Sequence, residues 1–335
     1  MSLARRPLAT VLSLLAAAAL AGCGVAEQPA AEQPAADRDA GATFPVSVEH
    51  KYGTTEIPKE PKRVVTLGLS DQDAVLALGV KPVGAVDWFK ERPYGLWPWT
   101  KDLWGKDIPE IVGERDAFVK EKILNLKPDL ILALYSGMTK DQYAELSKIA
   151  PTVGQPKDFA DYGAPWQEQT RMTGEALGKA DEADKLIADI DAKFAAVREA
   201  HPEWKGKSVA VVDPFQPGQY AVFQKTDPKA AFMTEMGFAV PDAINEAAGD
   251  NNAAEISAER ADLIDTDLLL FLTADPSAEQ RVQADPVYKG LKVAREDRAM
   301  FVPYAQPPIG AALSFNTVLS IPYALDEFVP LLDKA

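Results

Sequence analysis

One cysteine, Cys23, is all that these 335 residues contain, and there are only two histidines, His50 and His201. A lone cysteine closes no intramolecular disulfide, so the fold has to be held by core burial. Two histidines far apart in sequence are poor material for an imidazole-rich zinc or manganese trap. Basic charge is scarce as well: 35 lysines and arginines against 50 aspartates and glutamates leave a net charge of −15. An acidic surface argues against nucleic acid as a partner and against adhesion to anionic lipid. A nucleophile elbow, a glycine-rich phosphate loop, a metalloprotease helix motif and paired cysteine ligands are all missing. A Ser–His–Asp set would have to use His50, in a predicted N-terminal hairpin, or His201, at a helix end before Pro202. The second is better explained as a partner for the helix dipole. The chain is therefore expected not to be an enzyme, with an extracytoplasmic enzyme as the remote alternative.

Long apolar runs are also few. Leu8 to Ala21 is one, preceded by Arg5 and Arg6 and followed by no stop-transfer charges. It is short for a membrane span and reads as a signal peptide. It ends in Leu20-Ala21-Gly22-Cys23, which resembles the bacterial lipobox, in which the cysteine is lipidated and becomes the first mature residue. Residues 1–22 are thus expected to be removed, leaving 313 residues of net charge −17, anchored by Cys23 to the outer (or periplasmic) face of the cell membrane. Residues 24–43 are mostly Ala, Pro, Glu and Gln with almost no large apolar side chain, and Ala-Glu-Gln-Pro-Ala stands at 26–30 and again at 31–35. Such a segment buries too little to fold, so residues 23–43 are predicted to be a disordered tether.

Folded structure is predicted from Phe44. Val46 to Ile57 reads as a hairpin turning at Gly53. Arg63 to Leu67 is a buried-strand run, Ser70 a candidate N-cap for a helix over Asp71 to Leu78, and Pro82 to Val86 a further strand. Strand, helix, strand implies a parallel sheet. The pattern repeats with a helix over Lys120 to Leu126, strand Asp129 to Leu134, a helix around Thr139 to Lys148 and strand Ile149 to Val153. No proline interrupts Trp166 to Glu199, where Ala183, Leu186, Ile187, Ile190, Phe194 and Val197 recur at helical spacing. Strands follow at Ser208–Asp213, Gln219–Phe223, Asp267–Leu272 and Ala299–Val302, and helices at Ala230–Met236 and Ala258–Ile264. A closing helix over Leu313 to Leu332 is expected to kink at Pro322. The fold class is α/β, in two halves separated by one long helix.

Three phrases then carry a resemblance: Pro61-Lys62-Arg63-Val64-Val65, Leu76-Ala77-Leu78-Gly79-Val80-Lys81-Pro82-Val83-Gly84, and Glu121-Lys122-Ile123-Leu124-Asn125-Leu126-Lys127-Pro128-Asp129-Leu130-Ile131-Leu132. Together they resemble the iron-siderophore and cobalamin substrate-binding lipoproteins of ABC importers, over about residues 44–335. The resemblance implies a class III periplasmic-binding-protein-like fold: an N-terminal lobe over residues 44–180, a rigid connecting helix over 181–200 and a C-terminal lobe over 201–335. It also implies capture of ligand between the lobes with only a small hinge motion. Members dock on the permease dimer through one glutamate per lobe. The matching positions are Glu121 and, in the phrase Ile256 to Ile264, Glu259; as first-turn glutamates both also suit a helix dipole.

In open α/β sheets ligands sit beyond the carboxyl ends of the strands. Those ends are Gly68-Leu69-Ser70, Asp87-Trp88-Phe89, Tyr135-Ser136-Gly137, Asp213-Pro214-Phe215, Thr273-Ala274-Asp275 and Tyr304-Ala305-Gln306. The stretch Trp88 to Trp99 adds three of the six tryptophans. A ferric siderophore is a large chelate with apolar flanks that asks for an aromatic pocket and a few arginine or tyrosine donors. The candidate ligand residues are Trp88, Phe89, Arg92, Arg115, Tyr135, Ser136, Phe215, Tyr220, Tyr304 and Gln306; Trp88 and Arg115 also match cleft positions of the family. The iron arrives already chelated, so no cofactor and no protein metal ligands are expected. Haem, cobalamin and ferric citrate stay open as cargo; for haem, Tyr135, Tyr220 or Tyr304 could be the axial ligand. An envelope lipoprotein with no ligand is a third reading. A monomer is expected.

Overall fold

A computed structural model describes residues 43–90, 95–274 and 276–334. The predicted signal peptide, Cys23 and all but the last tether residue lie outside them. The hairpin is present as β1 (Val46–His50) and β2 (Gly53–Ile57), with the turn at Gly53. Alternation along it buries Val48 and Ile57.

The first large sheet has six strands: β3 (Val64–Thr66), β4 (Gly84–Asp87), β5 (Glu110–Glu114), β6 (Ala117–Phe118), β7 (Leu130–Leu132) and β8 (Thr152–Val153). Their order is β6-β5-β4-β3-β7-β8, and all neighbours are parallel except β5 and β6. Strands buried on both faces need continuous apolar runs, and Val64-Val65 and Leu130-Ile131-Leu132 supply them. Successive side chains alternate between two cores: Val64, Leu130 and Leu132 pack on one face, Val65 and Ile131 on the other. Helices α1 (Asp71–Ala77), α2 (Lys101–Trp104), α3 (Lys120–Asn125) and α4 (Lys140–Leu146) complete this lobe. A capping box starts α4: Thr139 Oγ1 accepts from the Gln142 N–H at 3.2 Å, and Gln142 Oε1 accepts from the Thr139 N–H at 2.8 Å.

The middle of the chain is two helices, α5 (Trp166–Leu177) and α6 (Ala180–Ala200), broken at left-handed Gly178. They pack closely: a Cβ on Gly174 would lie 2.4 Å from that of Ala183. The predicted stripe is the buried one, with Ala183 in a core of the first lobe and Ile187, Ile190 and Phe194 in that of the second. Thus α6 is part of both cores.

The second sheet contains β9 (Val209–Gln216), β10 (Gln219–Phe223), β11 (Ala253–Ser257), β12 (Leu268–Thr273) and β13 (Ala299–Pro303), in the order β11-β10-β9-β12-β13. Only β9, β12 and β13 are parallel; β9, β10 and β11 form an antiparallel meander. The expected end of a strand at Asp213 is corrected, because pairing with β10 carries β9 on to Gln216. Its helices are α7 (Pro228–Glu235), α8 (Asp242–Ala248), α9 (Pro276–Ala284), α10 (Pro286–Gly290), α11 (Lys292–Arg295), α12 (Ile309–Phe315) and α13 (Ser320–Leu332). Ala258–Ile264 is a 3₁₀ segment interrupted at Arg260, not an α-helix. The closing helix breaks at Asn316 (φ 45°, ψ 58°) rather than at Pro322. Thr317 and Ser320 satisfy each other's N–H groups there, at 2.9 and 3.1 Å. Pro322 falls in the first turn of α13, where a missing N–H costs little.

One buried carboxylate joins the strand ends of the first lobe. Ser70 occupies the cap position of α1 but its side chain makes no capping bond. Instead Asp71 accepts from the N–H groups of Gly68 (3.1 Å), Leu134 (2.8 Å) and Tyr135 (3.0 Å), tying the loop after β3 to the loop after β7. Burial outweighs these three donors and pushes the Asp71 carboxyl up to about 6. The folded chain then holds this proton more tightly than the unfolded one. The associated stability, about 3 kcal/mol, is present below pH ~4 and lost as pH rises through about 6. Urea unfolding from pH ~4 to ~7 measures it, and Asp71→Asn should flatten that limb. Gly68→Ala should cost about 2–4 kcal/mol in the same assay, since the new Cβ would lie 2.1 Å from Asp71 Oδ1.

Candidate functional site

The carboxyl ends of both sheets meet along a seam of aromatic rings. After β4 the chain presents Trp88 and Phe89, and further on Trp97 and Trp99. Phe315, the last residue of α12, touches all four, with centroids at 5.4, 5.7, 5.8 and 5.5 Å. Phe89 also lies 6.1 Å from Tyr304, after β13, and Trp88 lies 6.1 Å from Tyr135, after β7. Helix α12 comes this close because Gly310 abuts the end of β13: a Cβ there would sit 3.1 Å from the Pro303 carbonyl oxygen. A buried polar bond seals the seam. Asp73 Oδ2, on α1, accepts from Thr317 Oγ1 at 2.6 Å and from Trp99 Nε1 at 3.1 Å.

Polar groups flank the rings on both sides. On the first lobe the Tyr162 hydroxyl donates to Asp116, whose Oδ1 accepts from the Gly137 N–H at 2.9 Å. Tyr162 is edge-on to Tyr135 at 5.4 Å. Arg115, at a left-handed φ of 49° in the β5–β6 turn, is exposed and lies near both hydroxyls. On the second lobe the Tyr304 hydroxyl donates to Asp213 at 3.2 Å. Lys229 and Asp227, both buried, form an ion pair at 2.9 Å, and the ammonium sits 3.9 Å from the centroid of Phe223. Burial pushes the Tyr135 hydroxyl far up; Asp227, reaching it from the other lobe, and Tyr162 add to this, and Arg115 opposes it. Burial and then Asp213 do the same to Tyr304. Burial also raises Asp213, against the pull of Tyr304 and Lys229. A cavity of about 350 Å³ lies at the ends of β12 and β13, lined by Thr273, Glu279, Phe301 and Gln306 among others. A larger one, about 650 Å³, opens beside β5 and β6 and carries no aromatic ring.

The structure therefore brings Trp88, Phe89, Tyr135 and Tyr304 together, with Arg115 beside them and Gln306 on the cavity wall. Phe215 is exposed in the extended tip of β9. Arg92 lies outside the described residues. Two expectations are corrected. Ser136 is fully buried, its hydroxyl donating to the Ala133 carbonyl at 2.8 Å and accepting from the Met138 N–H at 3.3 Å. Tyr220 is 1% exposed, packs on Phe271 and donates to Asp285 at 2.9 Å. Alternation along β10 turns it under α10 rather than toward the seam. Glu121 and Glu259 are exposed in the first turns of α3 and of the 3₁₀ segment. Sequence reasoning missed Phe315, Asp116, Tyr162, Asp213 as a tyrosine acceptor, Asp227 and Lys229. A lysine set just before the apolar run Ala230 to Met233 was a usable signal; Phe315, inside an apolar helix, offered none. Among the described residues no group of three or more His, Cys, Asp or Glu could hold a metal ion, and no helix is long and apolar enough to cross a membrane.

Two α/β lobes with opposed strand ends, an aromatic seam between them and a helix shared by both cores define a two-lobed ligand-binding protein. The chain belongs to the periplasmic binding protein family, whose model matches residues 64–304. It is 30% identical over 266 residues to the lipoprotein YfiY of Bacillus subtilis (strain 168), covering 76% of this chain and 78% of that one. It is 28% identical over 268 residues to the ferric-anguibactin-binding protein FatB of Vibrio anguillarum, covering 77% and 80%. Among solved structures, Streptococcus pneumoniae TIGR4 PiaA in complex with ferrichrome superposes with a TM-score of 0.73 at 30% identity, covering 86% and 98%.

Phe315→Ala should cost about 3–5 kcal/mol in urea unfolding, because four rings lose their common partner. Thr317→Val should cost about 1–3 kcal/mol by leaving the buried Asp73 carboxylate a donor short.

Proposed function

We propose that this chain is the substrate-binding lipoprotein of an ABC importer, which captures a ferric siderophore between its lobes and delivers it to the membrane permease. The observation that carries this reading is the aromatic seam at opposed strand ends. It suits the apolar flanks of a chelate, in a chain similar to FatB and to ferrichrome-bound PiaA. Iron enters and leaves inside its chelator, so the protein supplies walls rather than metal ligands and needs no cofactor.

In this reading Trp88, Phe89, Tyr135 and Tyr304 form the wall against the chelate, with Arg115, Phe215 and Gln306 at its margins; Arg92 is a further candidate donor. The lobes divide at about residues 180 and 201, and α6 restricts their motion to a small hinge. Cys23 carries the lipid that holds a monomer at the membrane, on the tether of residues 23–43. Exposed Glu121 and Glu259 meet basic residues of the permease dimer, one per lobe.

Tryptophan fluorescence titration against ferric siderophores, haem and cobalamin tests the cargo. Quenching is expected with ferric siderophores, and a response confined to haem or cobalamin would falsify the choice. Trp88→Ala should weaken binding about tenfold. Glu121→Ala combined with Glu259→Ala should leave affinity intact and abolish iron uptake in cells; normal uptake would reject the docking role. Cys23→Ser should move the protein from the membrane to the soluble fraction.

A further inference from the structure

One carboxylate holds the turn between β5 and β6. The hairpin by itself is a weak support: its strands share only the pairs Gly113–Phe118 and Glu114–Ala117, and β6 is an edge strand of two residues. Yet the residue after Arg115 in this turn, Asp116, is tied to three other parts of the first lobe. Asp116 Oδ1 accepts from the Gly137 N–H at 2.9 Å, in the loop after β7. Its other carboxylate oxygen accepts from the Tyr162 hydroxyl. Its backbone carbonyl accepts from Gln142 Nε2 at 2.9 Å. That amide is itself fixed, because Gln142 Oε1 belongs to the capping box of α4. Gly137 makes room for the cluster: a Cβ there would lie 2.9 Å from the Tyr162 hydroxyl oxygen and 3.2 Å from Asp116 Oδ2.

The backbone around this carboxylate is strained. Six described residues other than glycine have left-handed φ values, and three of them stand at this corner: Arg115 (49°), Tyr162 (61°) and Lys90 (54°), whose ammonium is 3.5 Å from Glu114. Residues with a Cβ avoid this region and keep to it only where their surroundings over-determine them. If φ of Arg115 relaxed to a negative value, the Cα–Cβ bond and the guanidinium beyond it would swing elsewhere. Tyr162 is the second branch: its ring, held by the same carboxylate, stands edge-on to Tyr135 at 5.4 Å. We infer that Asp116 is a positioning residue of the ligand site. Shared between the Gly137 N–H and the Tyr162 hydroxyl, it locks the β5–β6 turn in the conformation that sets Arg115 beside Tyr135. The inference rests on the reading of Arg115 and Tyr135 as ligand contacts of a siderophore binder.

A double-mutant cycle tests it. Tryptophan fluorescence titration of the mature protein in detergent, with ferrichrome, ferric enterobactin and ferric citrate as probes, supplies the wild-type affinity. Against the probe that binds, Arg115→Ala should weaken affinity about tenfold, the loss of one charged hydrogen bond. Asp116→Ala should weaken it by a similar factor, about tenfold, without itself touching the ligand. The double variant should lie within about twofold of either single one, because a misplaced arginine and a missing one lose the same contact. Asp116→Asn can still accept from the Gly137 N–H and bond the Tyr162 hydroxyl, and should stay within about threefold of wild type. Tyr162→Phe removes only the hydroxyl and keeps the cycle readable where Asp116→Ala folds poorly: it should cost about threefold alone and nothing further on top of Arg115→Ala. Losses that multiply in the double variants would overturn the inference and leave the siderophore reading in place. So would wild-type affinity in Arg115→Ala, or in both Asp116→Ala and Tyr162→Phe. Failure of all three probes to bind the wild-type protein would remove both.

Discussion

Phe315 is where the two halves of the molecule become one. Its ring is 5% exposed and reaches every described aromatic side chain in the segment from Trp88 to Trp99. Aromatic pairs of this kind add to simple area burial because ring edges and faces are electrostatically complementary. The Asp73–Thr317 bond sits beside them, buried and 2.6 Å long, and is costly to open because a buried carboxylate would lose a donor. The rings that would grip a ligand are therefore the rings that hold the lobes together.

The rest of the site is arranged by carboxylates that hold other groups in place. Asp71 fixes the loops after β3 and β7; Asp116 orients Tyr162; Asp213 orients Tyr304. Asp71 is fully buried, Asp116 and Asp213 half-buried, and each fixes its donors in one orientation. The helical connection reinforces rigidity, since Ala183 and Phe194 on one helix belong to different cores and cannot shift independently.

Much of the architecture was legible in one dimension. Val64-Val65 and Leu130-Ile131-Leu132 could only be strands buried on both faces, and the stripe from Ala183 to Phe194 marked the buried face of α6. Local signals failed where a non-local bond decided the outcome. Ser70 has the right chemistry for a cap but makes no capping bond, while its neighbour Asp71 bonds N–H groups more than sixty residues away and ties two loops together. Pro322 looked like the kink, yet the left-handed Asn316 and the Thr317–Ser320 exchange set it earlier. Tyr304 follows the end of β13, whereas Tyr220 lies inside the antiparallel return strand β10, which aims it into the core.

The sequence by itself determined the parallel βα organisation of the first lobe, the family resemblance and the set of aromatics at the strand ends. These follow from periodicity and turn chemistry, which act over a few residues. Only the tertiary structure decided which aromatics share a seam, that Phe315 joins them, and that Asp116 and Asp213 hold the tyrosines beside them. Those outcomes depend on side chains hundreds of positions apart meeting in space, such as Asp73 and Thr317, separated by 244 residues. No local pattern along the chain encodes such a meeting.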